Sequence, residues 1–371
     1  MPSAPGAVQR EPSTKDPQEV ARVFRDMGLV GAGGAGFPSY FKYLKPTPTL
    51  IVNCEEGEPG YEADKLLLVT YPDLFKTMFE ALREIFGFEE IIIGAKEKDQ
   101  EMLDPLKDSH GFDVQYTESI YGNGEERWLT KAITGKEVPG RALPASVGVT
   151  VNNVETIYNM YRALFENEPV IDKFINIYGE VENPRVYCTP VGTYTVDLMA
   201  RSGVDTSRGH NLMCIDGGPM MGDMADLRVH AVLKKTNGVL VTEKAIYVGD
   251  QAEFATLPGQ EPPTWDDTLP EVMTKLGLLR YLDWHPDRIT ELGNADIRRV
   301  RVFLQHALTP IVKASVPTVE VGDEVHRGQV VAEPLDGPID DIKTLSVAQH
   351  ASIDGVVTEV TDAYIAVERD D

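Results

Sequence analysis

Residues 49–60 read Thr-Leu-Ile-Val-Asn-Cys-Glu-Glu-Gly-Glu-Pro-Gly. Thr49 to Asn53 is a short β-branched run, the pattern of a buried strand. Three carboxylates, Glu55, Glu56 and Glu58, follow at once, interleaved with Gly57, Pro59 and Gly60. In open α/β sheets ligands sit outside the carboxyl ends of strands, so this stretch predicts both a strand and the rim of a site. The same alternation extends outward. Upstream, Asp16-Pro17 opens a helix with Val20, Val23, Phe24 and Met27 on one face. Downstream come a helix over Asp73 to Phe86, a strand at Glu90 to Gly94, a charged helix over Glu97 to Lys107, a strand at Phe112 to Tyr116, a helix over Gly124 to Thr134 and a strand at Val147 to Asn152. Strands alternating with helices predict an α/β fold with a mainly parallel sheet.

At 371 residues the chain has room for about two to three domains. Near residue 170 its style changes. Phe174 to Tyr178 and Arg185 to Thr189 flank a turn, then come a helix at Thr195 to Ser202 and a strand at Asn211 to Asp216. This order suggests a ubiquitin-like β-grasp unit. Residues 250–295 are polar and Pro-rich, with two short helical patterns, Glu271 to Leu282 and Asp287 to Leu292. From residue 298 the chain is short strands and Gly turns (Val300 to Leu304, Val319 to Val325, Gly328 to Ala332, Gly355 to Val360, Tyr364 to Val367), with the rhythm of a barrel-sandwich hybrid. The expected division is a loose tail at 1–16, an α/β domain at 17–168, a β-grasp domain at 169–249, a connector at 250–297 and a barrel-sandwich domain at 298–371.

The formal net charge of −24 disfavours phosphate backbones and anionic lipid. No apolar run approaches the roughly 18 residues of a membrane span, and the first residues carry no secretory pattern. Three scattered cysteines, Cys54, Cys188 and Cys214, fit a reducing, cytoplasmic setting and leave no CxxC for a four-thiolate cluster. No two of the seven histidines have helical i, i+4 ligand spacing, so no metal site is expected.

Four motifs sit at strand–helix junctions. In Gly31-Ala32-Gly33-Gly34-Ala35-Gly36-Phe37-Pro38 the glycines allow close backbone approach and present N–H groups to an anion, with Lys42 nearby; an ordinary tight turn has the same composition. The carboxylates after Asn53 suit hydroxyl or amide donors, although a solvated acidic loop also reads this way. Tyr121-Gly122-Asn123-Gly124-Glu125-Glu126 enters a helix and suits a phosphate, or is simple capping. Asn152-Asn153 has the same two readings. Four such motifs in one α/β layer favour a nucleotide-like ligand.

The stretches GLVGAGGAGFPSYFK, LIVNCEEGEPGYEADKLLL, YGNGEERWLTKAITGKEVP, LPASVGVTVNNVETI and IDGGPMMG resemble the family of flavin-bearing NADH-oxidising proteins: the complex I flavoprotein subunit, the Rnf complex C subunit and the cobalamin reductases of propanediol-utilisation compartments. The resemblance covers roughly residues 18–245 and 298–368. It implies a Rossmann-like FMN/NADH-binding domain followed by a β-grasp domain of the SLBB type and a barrel-sandwich hybrid. It also implies an oxidoreductase with non-covalent FMN and NADH or NADPH as donor. Gly31, Gly33, Gly34 and Gly36 would form the cofactor loop with Lys42 beside it. Asn53, Glu55 and Glu56 would contact the flavin, Tyr121, Gly124 and Glu125 would line it, and Asn152 and Asn153 would meet its phosphate. Phe37, Glu58 and Glu126 would serve NADH. The flavin carries the hydride chemistry, and no residue is expected to be catalytic in its own right. The acidic surroundings would lower its potential.

The departures from the family matter as well. Ala32 stands where complex I has Arg, and the cysteine-free stretch 250–295 stands where the Rnf and cobalamin-reductase relatives carry iron–sulfur motifs. Electrons would therefore pass to a bound acceptor or to a cluster-, flavin- or corrinoid-bearing partner, in a complex or homo-oligomer. The alternative is a scaffold that kept the fold and lost electron transfer. Lys343 lacks the hairpin-tip context of an acylated carrier lysine and reads as a surface residue, and Met220-Met221 reads as core or interface filler.

Overall fold

A computed structural model describes residues 11–45, 47–140, 142–204, 212–226, 229–243, 261–282, 284–307 and 309–369. The tail at 1–10 and part of the expected connector, 250–260, lie outside the described residues. The first unit is built on four strands, β1 (Thr49–Cys54), β2 (Glu90–Lys96), β3 (Asp113–Thr117) and β4 (Val149–Asn153), all parallel and ordered β3-β2-β1-β4. Around them lie α1 (Pro17–Asp26), α2 (Ala63–Thr70), α3 (Pro72–Phe86), α4 (Gln100–His110), α5 (Glu126–Thr134) and α6 (Val154–Glu166). The pleat of β1 sorts its side chains into two layers. Leu50, Val52 and Cys54 pack with Phe24 of α1, Phe75 of α3 and Ile157 of α6. Ile51 faces the other way, onto Leu129 of α5 with Val149 and Val151 of β4. The α/β layering expected from the alternation is thus present.

Local chemistry sets the helix ends. Asp16 caps α1 by accepting from the Gln18 and Glu19 amides, both at 2.9 Å. Gly87 closes α3 in the left-handed region at φ 73°, where a side chain would be strained. The stretch read as a helix from Gly124 begins as a tight 3-10 turn over Tyr121–Gly124, and α5 proper starts at Glu126. Helix α2 was not anticipated, because its Ala-Asp-Lys-Leu-Leu-Leu-Val-Thr sequence is buried on nearly every side and shows no amphipathic period.

The second unit has β5 (Asp172–Gly179), β6 (Arg185–Pro190), α7 (Thr195–Arg201), β7 (Leu212–Asp216), β8 (Asp223–Met224) and β9 (Gly238–Glu243). Helix α8 (Leu269–Lys275) and strand β10 (Ile289–Glu291) follow. Its sheet runs β10-β6-β5-β9-β7-β8, with β5 antiparallel to β6 and parallel to β9. The helical pattern read at Asp287 to Leu292 is corrected here. Ile289–Glu291 is an extended edge strand paired in parallel with β6, because the β-branched Ile289-Thr290 pair meets an open edge of the sheet. The connector also docks on the first unit. Ile120 bridges to Thr268, and the Tyr121 and Gly122 amides donate to Asp267 and Trp265 carbonyls, each at 2.8 Å.

The last unit carries β11 (Arg299–Phe303), β12 (Val316–Pro317), β13 (Glu324–Val325), β14 (Val330–Glu333), β15 (Gln349–His350), β16 (Gly355–Val360) and β17 (Tyr364–Glu368) in sheets of four and three strands. The strand read at Val319 to Val325 shrinks to Glu324–Val325, since Gly322 turns the chain at φ 99°.

Lys234 sits where the three units meet. It is 2% exposed, and its ammonium donates to the Gly28 carbonyl at 2.9 Å. Buried His306 and His350 flank it, and the Lys234 amide donates to His306 Nδ1 at 3.2 Å. Among the described residues no carboxylate pairs with it, and burial pushes its amine down to about 7. No helix among the described residues is long and apolar enough to cross a membrane.

Candidate functional site

With strand order β3-β2-β1-β4 the sheet reverses its direction of growth between β1 and β4, which is the place where such sheets bind ligands. The two strands end side by side there, with Asn53 in register with Asn153. The glycine loop lies over this point. A Cβ at Gly33 would come within 3.0 Å of Asn153 Cβ, and the Ala32 amide donates to Thr156 Oγ1 at the start of α6 at 3.0 Å. The Gly31 and Gly36 amides close the loop on Phe37 and Gly31 carbonyls. Among the described residues, the Gly33, Gly34 and Ala35 amides take no protein acceptor. Three successive N–H groups beside a strand end form a concavity suited to an anion.

The opposite rim is as closely fitted. Asn53 Nδ2 donates to the Gly124 carbonyl at 3.0 Å, and a Cβ at Gly124 would lie 2.7 Å from Gly57 Cα. Glycine is required at both points because two backbones touch there. The sequence motifs at 31–36, 53–58, 121–126 and 152–153 therefore converge on one place. Lys42 crosses the end of β4, donating to the Val151 carbonyl at 2.7 Å and to Glu126 at 2.6 Å. Phe37 is half-buried, edge-on to Phe41 with ring centres 6.1 Å apart.

The carboxylates are not presented as the sequence reading expected. Glu55 is fully buried, 3.4 Å from the Lys96 ammonium and accepting from Thr117 Oγ1 at 2.7 Å. Burial raises its pKa, and Lys96 works against that rise. Glu56 turns inward with φ 44° and accepts from the Asp64 and Lys65 amides at 2.9 and 3.2 Å and from Lys65 Nζ at 2.7 Å, so it anchors the start of α2. Burial pushes its carboxyl up to about 7. Burial opposes the charge on Lys65, but Glu56, Glu62 and Asp99 outweigh it and hold the ammonium well above its usual range. Two of the carboxylates expected at the rim are thus paired with buried lysines. Glu58 also has its oxygens occupied, by Tyr121 and by two amides of the second unit.

Two of the Asx and Glx residues do cap helices. Asn153 accepts from the Glu155 amide at 2.9 Å, and Glu125 accepts from the Arg127 and Trp128 amides at 3.0 and 3.3 Å. Asn152 is buried and donates to the Tyr43 hydroxyl. Sequence reading missed Lys65, Lys96 and Asn237. Asn237 Nδ2 stands 3.9 Å from a Cβ at Gly34, and its buried Oδ1 has no partner among the described residues. Lys96 was legible in principle, since it ends the strand that pairs with β1.

Residues 24–162 match the family described as the Nuo51 FMN-binding domain. This segment is similar to flavin domains of the Nuo51 type. Over nearly its whole length the chain is also 27% identical to the cobalamin reductase PduS of Citrobacter freundii, covering 98% of this chain and 99% of that one. That alignment runs over 462 positions against 371 residues here, so at least 91 positions of the relative face no residue of this chain. The C subunit of the ion-translocating oxidoreductase complex of Yersinia pseudotuberculosis is 32% identical over 53% of this chain and 29% of its own length. An NAD+-reducing [NiFe]-hydrogenase shares the fold at TM-score 0.54 and 22% identity over 62% of this chain, which spans about half of that one (47%). These matches uphold the resemblance read from the sequence motifs.

Proposed function

We propose that this chain is an FMN-dependent, NADH-oxidising electron-transfer protein with its flavin in the crevice between the ends of β1 and β4. The observation that carries this reading is the set of three amides, Gly33 to Ala35, that have no acceptor among the described residues and belong to the loop packed on Asn153 at the switch point of the sheet. The residues fit a flat nucleotide. These amides suit its phosphate, and glycine at both 57 and 124 keeps that rim free of Cβ atoms. FMN, when bound, supplies the hydride and electron chemistry. The protein orients and shields. The Gly33, Gly34 and Ala35 amides hold the phosphate, Asn53 fixes the 121–124 turn through its 3.0 Å bond, and Lys42 can exchange Glu126 for an incoming anion.

In this reading residues 169–249 are a β-grasp unit, supported by the parallel pairing of β5 with β9, and residues 298–371 are a barrel-sandwich unit. All three cysteines are buried and separate. Electrons then leave to a partner protein or bound acceptor. The relatives that carry this reading are reductase and complex-subunit proteins. A scaffold that lost electron transfer is the second reading, favoured by the engagement of Glu55, Glu56 and Asn152 within the protein. Purified full-length chain mixed with FMN separates the two. The redox reading predicts a yellow, one-to-one complex that bleaches on anaerobic addition of NADH. A chain that refuses FMN overturns it.

A further inference from the structure

Residues 217–222, Gly-Gly-Pro-Met-Met-Gly, join β7 to β8 in the second unit. Gly217 and Gly218 lie at φ 95° and 94°, open only to glycine at low cost, and the Gly222 amide closes the turn on the Gly218 carbonyl at 3.0 Å. A Cβ at Gly218 would fall 2.5 Å from Glu58 Oε2 and 2.7 Å from Glu58 Cβ. The turn is therefore shaped around a side chain of the flavin domain. Glu58 Oε2 accepts from the Met220 amide at 3.0 Å. Glu58 Oε1 accepts from the Met221 amide and the Tyr121 hydroxyl, both at 2.9 Å. Tyr121 begins the turn whose Gly124 abuts Gly57 and receives Asn53. One carboxylate thus ties together the 57–60 loop, the 121–124 turn and the 217–222 turn. Met220 packs with Tyr121 and Tyr178 in a shared core, whereas Met221 is 65% exposed. Burial, opposed by these three donors, pushes the Glu58 carboxyl up to about 7.

We propose that Glu58 is a positioning residue whose carboxylate clasps the Gly217–Gly222 turn of the second unit onto the rim of the flavin domain, so that this turn forms a wall of the crevice for the dinucleotide donor. The role of the wall rests on the flavin reading above; the clasp itself does not. The motif Gly-Gly-Pro-Met-Met-Gly then has a reason beyond filling. Its glycines admit Glu58, and its two methionine amides are the groups being held.

The test is hydrogen–deuterium exchange on the full chain, paired with NADH kinetics on the FMN-loaded protein. Glu58→Gln replaces one acceptor oxygen by a donor, and Gly218→Ala drives a methyl group into the Glu58 site. With exchange followed above the Glu58 midpoint of about 7, where the carboxylate is charged, a hydrogen bond to it corresponds to about a 10- to 100-fold change in opening. Both variants should therefore raise exchange at the Met220 and Met221 amides by about tenfold or more, while the β1 amides stay protected and report an intact fold. KM for NADH should rise with kcat changed less than KM. Unchanged exchange at Met220 and Met221 in both variants overturns the clasp. Raised KM with unchanged exchange overturns it too, because Glu58 would then touch the nucleotide directly. Raised exchange with unchanged KM overturns the wall. If the wild-type chain takes up no FMN, the exchange measurement still decides the clasp, and the flavin reading falls by itself.

Discussion

Replacing Lys234 by Met removes a buried amine that has no counter-charge among the described residues. In the folded chain burial holds this amine at about 7, against 10.5 when exposed. Between those two values the unfolded chain carries the extra proton, so stability rises as pH rises through the window from about 7 to 10.5. The full displacement corresponds to about 5 kcal/mol at ~1.36 kcal/mol per pH unit. Of this, about 3 kcal/mol is recovered between about pH 7 and about pH 9.5. Methionine fills a similar volume without titrating, at the loss of the 2.9 Å bond to Gly28, about 1 kcal/mol. Equilibrium urea unfolding at the two pH values, wild type beside variant, reads the difference. The variant should be the more stable at the lower pH, and its advantage should shrink by about 3 kcal/mol at the higher. An equal difference at both would show that Lys234 keeps its charge in the folded chain, and would refute the reasoning. His306 and His350, both held down at about 3 by burial, stay neutral throughout and do not contribute.

Three further outcomes follow from the packing. Gly124→Ala places a methyl 2.7 Å from Gly57 Cα, so the two rims must part at about 1–3 kcal/mol, and a fluorescence-quench titration should show weakened FMN uptake; unchanged uptake would mean that the rim is not in the site. Glu155→Gln leaves Lys173, fully buried, without its carboxylate, and urea unfolding should report a loss of about 3–5 kcal/mol, with a loss under about 1 kcal/mol contradicting the pairing. Carbon-13 NMR should find the Glu58 carboxyl titrating near 7, so that its contribution to stability falls as pH rises from 4.5 to about 7; a midpoint at the ordinary carboxylate value would refute the burial argument.

The strands of the first unit were legible because each is a short β-branched or isoleucine run bounded by turn residues, Thr49 to Asn53 and Glu90 to Gly94 above all. The convergence of three of the four motifs was legible for a related reason, since parallel strands all deliver their carboxyl ends to one rim; the glycine loop follows α1 rather than a strand, and it reaches the rim by packing on Asn153 and Thr156. What each side chain does at that rim was not legible. Glu55 and Glu56 look alike in sequence, yet the register pairing Cys54 with Ala95 sets Lys96 beside Glu55, while Lys65, nine residues on, folds back to Glu56 through a helix that showed no periodicity. These are long-range charges that local reading cannot weigh. Ile289–Glu291 was misread because two apolar residues three apart imitate a helix face, whereas the open edge of β6 decides the matter.

Diffraction from crystals grown with FMN tests the central claim most directly. The account predicts density for the ring system between Gly33 and Gly124 at the ends of β1 and β4, with the phosphate on the Gly33, Gly34 and Ala35 amides. Clear density for FMN elsewhere on the molecule, with that crevice filled only by water, would contradict it.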